Sequence, residues 1–241
     1  MHREGYNVFV TGSNSNLFGT SFATHLTGRY IMLDLFPFSY KECLTVPGFK
    51  EKNESVLEIM YTGGFPEVVV NDMEPGKYTE TLLKNIAYKD VVLRYKIKFP
   101  NRIELLMGYL VANITNTLNF ETIKEILKID SYKTINKYID CIEESYAFLF
   151  LSPFSFKPKE RFNFNRKILA VDNSFLQYKN FSNSKNKGMF FENLVFTELL
   201  KQGYGVNSEL FYHKTKNNYE IDFLLKSKLE GVSKLIQVSY D

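Results

Sequence analysis

Residues Phe120 to Ser145, FETIKEILKIDSYKTINKYIDCIEES, read as two helices joined by a tight turn. Phe120 to Ile129 is a short amphipathic helix, Asp130-Ser131 makes the turn, and Ser131 to Ser145 is the second helix. Alternating runs follow at Tyr146 to Leu151, Phe154 to Lys159 and Lys167 to Asp172. Two helices with a tight turn and a β-hairpin behind them predict a winged helix-turn-helix. In such a motif the first half of the second helix faces the major groove; here that half holds Ser131, Lys133, Thr134, Asn136 and Lys137. Lys157, Lys159, Arg161, Arg166 and Lys167 fall on or near the wing, where phosphate contacts are expected. Asp140, Glu143 and Glu144 make the far end of the helix acidic, and winged helices also serve as protein contacts. Double-stranded DNA and a protein partner are therefore both expected ligands of this unit.

Upstream, the pattern from about Ser55 to Asn113 is helical, with breaks at Gly63-Gly64-Phe65-Pro66 and Glu74-Pro75-Gly76. Asp90 and Arg94 stand four apart, as a surface pair would. At the N-terminus, Tyr6 to Thr11 (YNVFVT) reads as a buried strand feeding the polar loop Gly12 to Asn16. Phe18 to Thr27 reads as a short helix stopped by Gly28, and Tyr30 to Leu35 (YIMLDL) as a second strand. Ser39 and Glu42 then have capping-box spacing. Two strands cannot make a stable open sheet with covered faces, so this is a piece of an α/β sheet and the least stable part of the chain.

Downstream, Phe190 to Gln202 reads as a helix ending at Gly203, followed by strands at Leu210 to Lys214, Tyr219 to Lys226 and Lys234 to Tyr240. A last strand with nothing after it to cover its second face reads as a truncated unit. The predicted fold class is α/β plus α+β, multidomain. Residues 1–45 form a sheet remnant, 46–115 a helical region, 116–172 the winged helix, and 173–241 a helix–strand–strand–strand α/β unit.

Composition narrows the function. The 241 residues carry 30 basic and 27 acidic side chains, a net charge of +3 that does not by itself announce nucleic-acid binding. Cys43 and Cys141 are far apart, and the three histidines are scattered, which argues against a disulfide framework or a zinc site and fits a reducing cytoplasm. No stretch offers the roughly 18 apolar residues of a membrane span.

The string VFVTGSNSNLFGTSFATHLTGRYIMLDLFPFSYKECL resembles a large archaeal and bacterial family of AAA-type ATPases, from the sensor 1 region onward. GGFPEVV, YKDVVLRYKI, the helix-turn-helix ending in NKYIDCIEES, and FENLVFTELL…YEIDFLLK…LIQVSYD are similar to the same family, in order. The resemblance covers essentially the whole chain and implies a C-terminal domain of unknown function. It also implies ATP and Mg²⁺ as cofactors of the intact family. A P-loop needs G-x-x-x-x-G-K-[ST] to cradle phosphates and hold Mg²⁺, and no Gly-Lys-Ser or Gly-Lys-Thr occurs here. The acidic strand end that would precede sensor 1 is missing too. ATP hydrolysis by this chain alone is therefore not expected, nor tight binding of ATP or Mg²⁺, unless another polypeptide supplies the P-loop half. By the resemblance Ser13-Asn14 take the sensor 1 position and Arg29 that of a phosphate-sensing arginine. The alternative roles are a helix cap for Asn14 and a surface ion pair for Arg29.

The C-terminal unit resembles the restriction-endonuclease fold of the PD-(D/E)XK type, which implies Glu192 as the helix acid, Asp222 as the metal aspartate, and Gln237-Val238-Ser239 in the E-x-K position. Gln237 is a weak neutral ligand and Ser239 cannot supply a lysine's charge, whereas a hard divalent cation prefers carboxylate oxygens. Glu220 is taken to face the other side of the strand as a solvated charge. The leading expectation is a truncated AAA-type ATPase with a residual DNA- or protein-binding role. The alternative is a Mg²⁺-dependent nuclease with a degenerate centre.

Overall fold

A computed structural model of the chain describes residues 8–12, 31–49, 56–156, 166–180, 187–215, 217, 219–227 and 231–239. Its described elements are helices and two small antiparallel sheets, a mixed α+β arrangement.

The helical part begins with α1 (Tyr40–Cys43), whose capping box is complete: Glu42 N donates to Ser39 Oγ at 3.3 Å and Ser39 N to Glu42 Oε2 at 2.7 Å. Next come α2 (Val56–Thr62), α3 (Pro66–Asn71) and α4 (Pro75–Asn85). Proline opens both α3 and α4, where its missing N–H costs nothing. The second chain break is also a cap, because Glu74 accepts from Gly76 N and Lys77 N at 2.9 and 2.7 Å. A π-helical segment, Ile86–Leu93, continues α4, and Asp90 and Arg94 stand 3.9 Å apart at its end.

Helix α5 (Pro100–Ala112) is the central helix, with Ile103, Leu106 and Leu110 wholly buried. The two helices after it match the sequence pattern. Asn119 caps α6 (Phe120–Leu127), a left-handed Lys128 ends it, and Ser131 caps α7 (Tyr132–Glu143). Antiparallel strands β1 (Phe148–Leu151) and β2 (Lys167–Ala170) follow.

This strand pair does not stand out as a solvated wing. Phe148, Phe150, Ile168 and Ala170 face the core made by α5, α6 and α7. The alternate residues Leu149, Leu151 and Leu169 face a second core with Phe196, Leu199, Leu210, Tyr212 and Phe223. Period two therefore puts Lys167, in phase with Leu169, on the second face.

A 3₁₀ helix (Asn173–Asn180) leads to α8 (Lys187–Lys201) and then to β3 (Leu210–Lys214), β4 (Glu220–Ser227) and β5 (Gly231–Ile236), paired in that order. The two sheets meet where Phe154 N donates to Tyr212 O at 2.7 Å and Tyr212 N to Ser152 O at 3.2 Å, a parallel bridge.

Four strand expectations are corrected. Residues 8–11 and 31–35 form no strand, and Phe9 and Leu35 are each 93% exposed. A strand needs a neighbour for its hydrogen bonds, and the described residues supply none there. Phe154 to Phe156 form no strand either; Phe154 packs on Phe211 and Leu224. The last strand starts at Gly231 and ends at Ile236, so Gln237 lies just beyond it. No helix among the described residues is long and apolar enough to cross a membrane.

Candidate functional site

Lys167 is the largest anomaly in the second core. It has no exposed surface, although lysine is almost never fully buried without a partner. Its Nζ lies 2.7 Å from Glu192 Oε1, 2.5 Å from Glu220 Oε1 and 3.6 Å from Asp222 Oδ1. Three elements thus converge on one point: β2 supplies the lysine, the N-terminal half of α8 supplies Glu192, and β4 supplies Glu220 and Asp222. The ligand oxygens of the three acids lie within 4.8 Å of one another.

The structure places Glu192 and Asp222 in one cluster with Glu220 and Lys167, and sets Gln237 on Asp222 as a hydrogen-bond donor outside the three converging acids. Glu220 is corrected from an outward-facing charge to a member of the cluster. Positions two apart on a strand share a face, so the Glu220–Asp222 spacing itself carried that signal. The cluster's one lysine is Lys167, on a strand 55 residues upstream of Asp222, and no spacing rule within the C-terminal unit could have placed it there.

Gln237 Nε2 donates to Asp222 Oδ2 at 2.7 Å, and Val238 N donates to the same oxygen at 2.7 Å. Gln237 therefore fixes Asp222 through its amide nitrogen. Ser239 lies beyond the sheet.

Electrostatics follow from three acids facing one base. Burial pushes the Glu192 carboxyl up to about 7; Lys167 opposes this, and Asp222 and Glu220 add to it. Burial pulls the Lys167 ammonium down, but Glu192 and Glu220 outweigh it and hold it above the usual lysine value. One ammonium cannot neutralise three carboxylates in a partly dry site.

That excess charge is the observation against which a divalent cation can be tested. Hard cations take clustered carboxylate oxygens, and these acids converge closely enough to share one ion. The donor set fits, with Glu192, Glu220 and Asp222 as the holding residues and Lys167 as the neighbour that must yield room. Nothing in the set suits a soft metal.

The expected DNA-facing residues are dispersed differently. Lys133, Asn136 and Lys137 are exposed on α7. Ser131 Oγ instead accepts from Thr134 N at 3.3 Å, so its side chain is used as a helix cap, and Thr134 is half-buried. Tyr132 donates to Glu121 and lies 4.8 Å from Lys124 Nζ, which ties α6 to α7. Arg166 is corrected from a phosphate contact: it pairs with Glu143 at 2.9 Å and with Asp140 at 3.6 Å, and stacks on Phe150. Lys167 is corrected likewise, being buried among acids. Ser13, Asn14, Arg29, Lys157, Lys159 and Arg161 lie outside the described residues.

Three family models match successive parts of the chain. A family model described as a domain of unknown function, DUF8612, matches residues 53–185. A second domain of unknown function, DUF4143, matches residues 187–240, and an AAA domain matches residues 1–44. An uncharacterised protein of Methanocaldococcus jannaschii is 34% identical over all of this chain, which spans 57% of that relative's length. An uncharacterised protein of Haemophilus influenzae is 29% identical over 97% of the chain, which spans 59% of its length. No solved structure matches the chain.

Proposed function

Taking as its premise that this chain belongs to the DUF8612 family, in an AAA-like setting, we propose that its C-terminal part is a divalent-cation-dependent site for phosphodiester chemistry on nucleic acid. The observation that carries the reading is Lys167 Nζ at 2.5–3.6 Å from three converging carboxylates. A lysine beside clustered acids is the constellation that metal-dependent phosphodiester cleavage uses. A bound cation would supply Lewis acidity there. Glu192, Glu220 and Asp222 hold it, Gln237 and Val238 keep Asp222 aimed, and Lys167 offers positive charge to a phosphate oxygen.

The helix pair α6–α7, backed by the buried strand pair β1–β2 and not by a solvated wing, docks duplex in this reading through Lys133, Asn136 and Lys137. Its second strand also builds the acid–lysine centre, so docking and chemistry share one framework. Nucleotide and Mg²⁺ use belongs to AAA proteins. These 241 residues contain no Gly-Lys-Ser or Gly-Lys-Thr, and we assign them no ATP hydrolysis of their own.

The test is nicking of supercoiled plasmid by the purified chain with Mg²⁺ or Mn²⁺. Nicking that is lost in Asp222→Ala supports the proposal. A second reading, docking to DNA or protein without chemistry, is favoured by the two hydrogen bonds that saturate Asp222 Oδ2 and by the ammonium filling the centre. Salt-sensitive duplex binding with intact DNA recovered would select that second reading.

A further inference from the structure

Segment 36–44, at the end of the region matched by the AAA domain, is seated on α8 by polar contacts. Lys201 Nζ donates to Phe38 O at 2.9 Å and to Glu198 Oε1 at 3.2 Å, and Tyr40 N donates to that same Glu198 oxygen at 3.4 Å. On its other side, Phe38 N donates to Gly64 O at 2.7 Å.

From Gly64 the contacts continue inward. Gly64 N donates to Asp172 Oδ2 at 2.7 Å, and Ser174 N donates to Asp172 Oδ1 at 2.8 Å. The adjacent Asn173 donates through Nδ2 to Met60 O at 3.0 Å and Phe190 O at 2.8 Å, and its Oδ1 accepts from Asn193 Nδ2 at 2.8 Å. Asn193, fully buried, closes on β2: Ala170 N donates to its Oδ1 at 2.9 Å, and its Nδ2 donates to Ala170 O at 3.1 Å. Asn193 follows Glu192 on α8, and Ala170 ends the strand that Lys167 begins.

Buried polar groups are costly to leave unpaired, so this series is either whole or broken. It reaches α8 at two places. Lys201 grips the segment at the C-terminal end of the helix, and Asn193, near its middle and about 12 Å away along it, fixes α8 to β2. The distance between Lys167 and Glu192 is therefore set by where α8 sits, and that position is shared with segment 36–44.

We infer that Asn193 is a positioning residue linking the seat of segment 36–44 to the acid–lysine centre, so that cation occupancy of the centre and docking of the segment stabilise each other. This rests on the proposed function above and adds regulation of the same site by the AAA-side segment. Coupling of this kind is reciprocal: each event changes the other by the same factor.

The test is Mn²⁺ titration of the full chain, combined with amide hydrogen exchange of the 36–44 segment. Saturating Mn²⁺ is expected to slow exchange there by about fivefold or more, and Lys201→Met, remote from the carboxylates, to weaken Mn²⁺ affinity by a matching factor. Asn193→Ala is expected to abolish both effects, and the exposed control Lys84→Met to change neither. General destabilisation would not give matched factors. Mn²⁺ binding that leaves segment exchange unchanged, with Lys201→Met binding as wild type does, would overturn the coupling and leave the centre standing. No Mn²⁺ binding by the wild type would remove the centre's assignment and the coupling together. Lys201→Met decides the matter even if Asn193→Ala does not fold.

Discussion

Lys167 on β2 and Glu192 on α8 are 25 residues apart in sequence and 2.7 Å apart in space, inside a core where neither charge would sit alone. The contact ties the strand behind the helix pair to the helix that opens the C-terminal unit. Removing one member of a buried ion pair leaves uncompensated charge. Lys167→Met is thus expected to destabilise the chain by about 3–5 kcal/mol in urea unfolding. A loss under 1 kcal/mol would mean the carboxylates are hydrated and the cluster is loose.

Stability should also depend on pH through Glu192. Its folded pKa of about 7 lies above the ordinary glutamate value of 4.5, so the folded state holds the proton more tightly than the unfolded chain does. The sign follows: this contribution is complete below about pH 4.5 and is lost as pH rises through about 7. Wild type is expected to lose about 2 kcal/mol between pH 5 and pH 8 relative to Glu192→Gln. Parallel pH profiles for the two proteins would contradict the burial of this carboxyl.

Gly63 has φ of +77°, and a side chain there would run into Asp172 Oδ1. Asp172 is itself buried, and burial pushes its carboxyl up. Gly63→Ala should cost more than the ~1 kcal/mol of a left-handed alanine, because it also displaces the Asp172–Gly64 hydrogen bond. Thermal unfolding with an unchanged midpoint would refute this. The GGFP string is thus accounted for as a backbone joint.

If α7 docks on duplex DNA, Lys133→Ala and Lys137→Ala should each weaken binding for all sequences and lower the salt slope by about one. Unaltered binding in the double variant would move the docking surface elsewhere. Arg166→Ala should instead act on stability, since its guanidinium is engaged by Glu143 and Asp140.

The helix pair was legible because Phe120–Leu127 and Tyr132–Glu143 keep helical period and carry side-chain caps at Asn119 and Ser131. Half of the acid centre was legible for a similarly local reason: Glu192 and Asp222 stand in recognisable strings. Lys167 was not, because its role depends on β2 packing between two cores, which is a tertiary fact. Glu220 was misplaced on the outer face, although strand period alone sets it on the same face as Asp222. The runs at 8–11 and 31–35 look like strands in composition but are exposed, since propensity cannot supply the neighbour that a strand requires.

Whether the acid–lysine centre holds a divalent cation is read by calorimetric titration of the purified chain with Mn²⁺, beside Asp222→Asn and Glu220→Gln. One saturable site is expected in the wild type, weakened at least tenfold in both variants, with the folded state retained. Absence of a saturable site in the wild type, or equal binding by all three proteins, would contradict it and leave the Lys167 cluster as a purely structural ion pair.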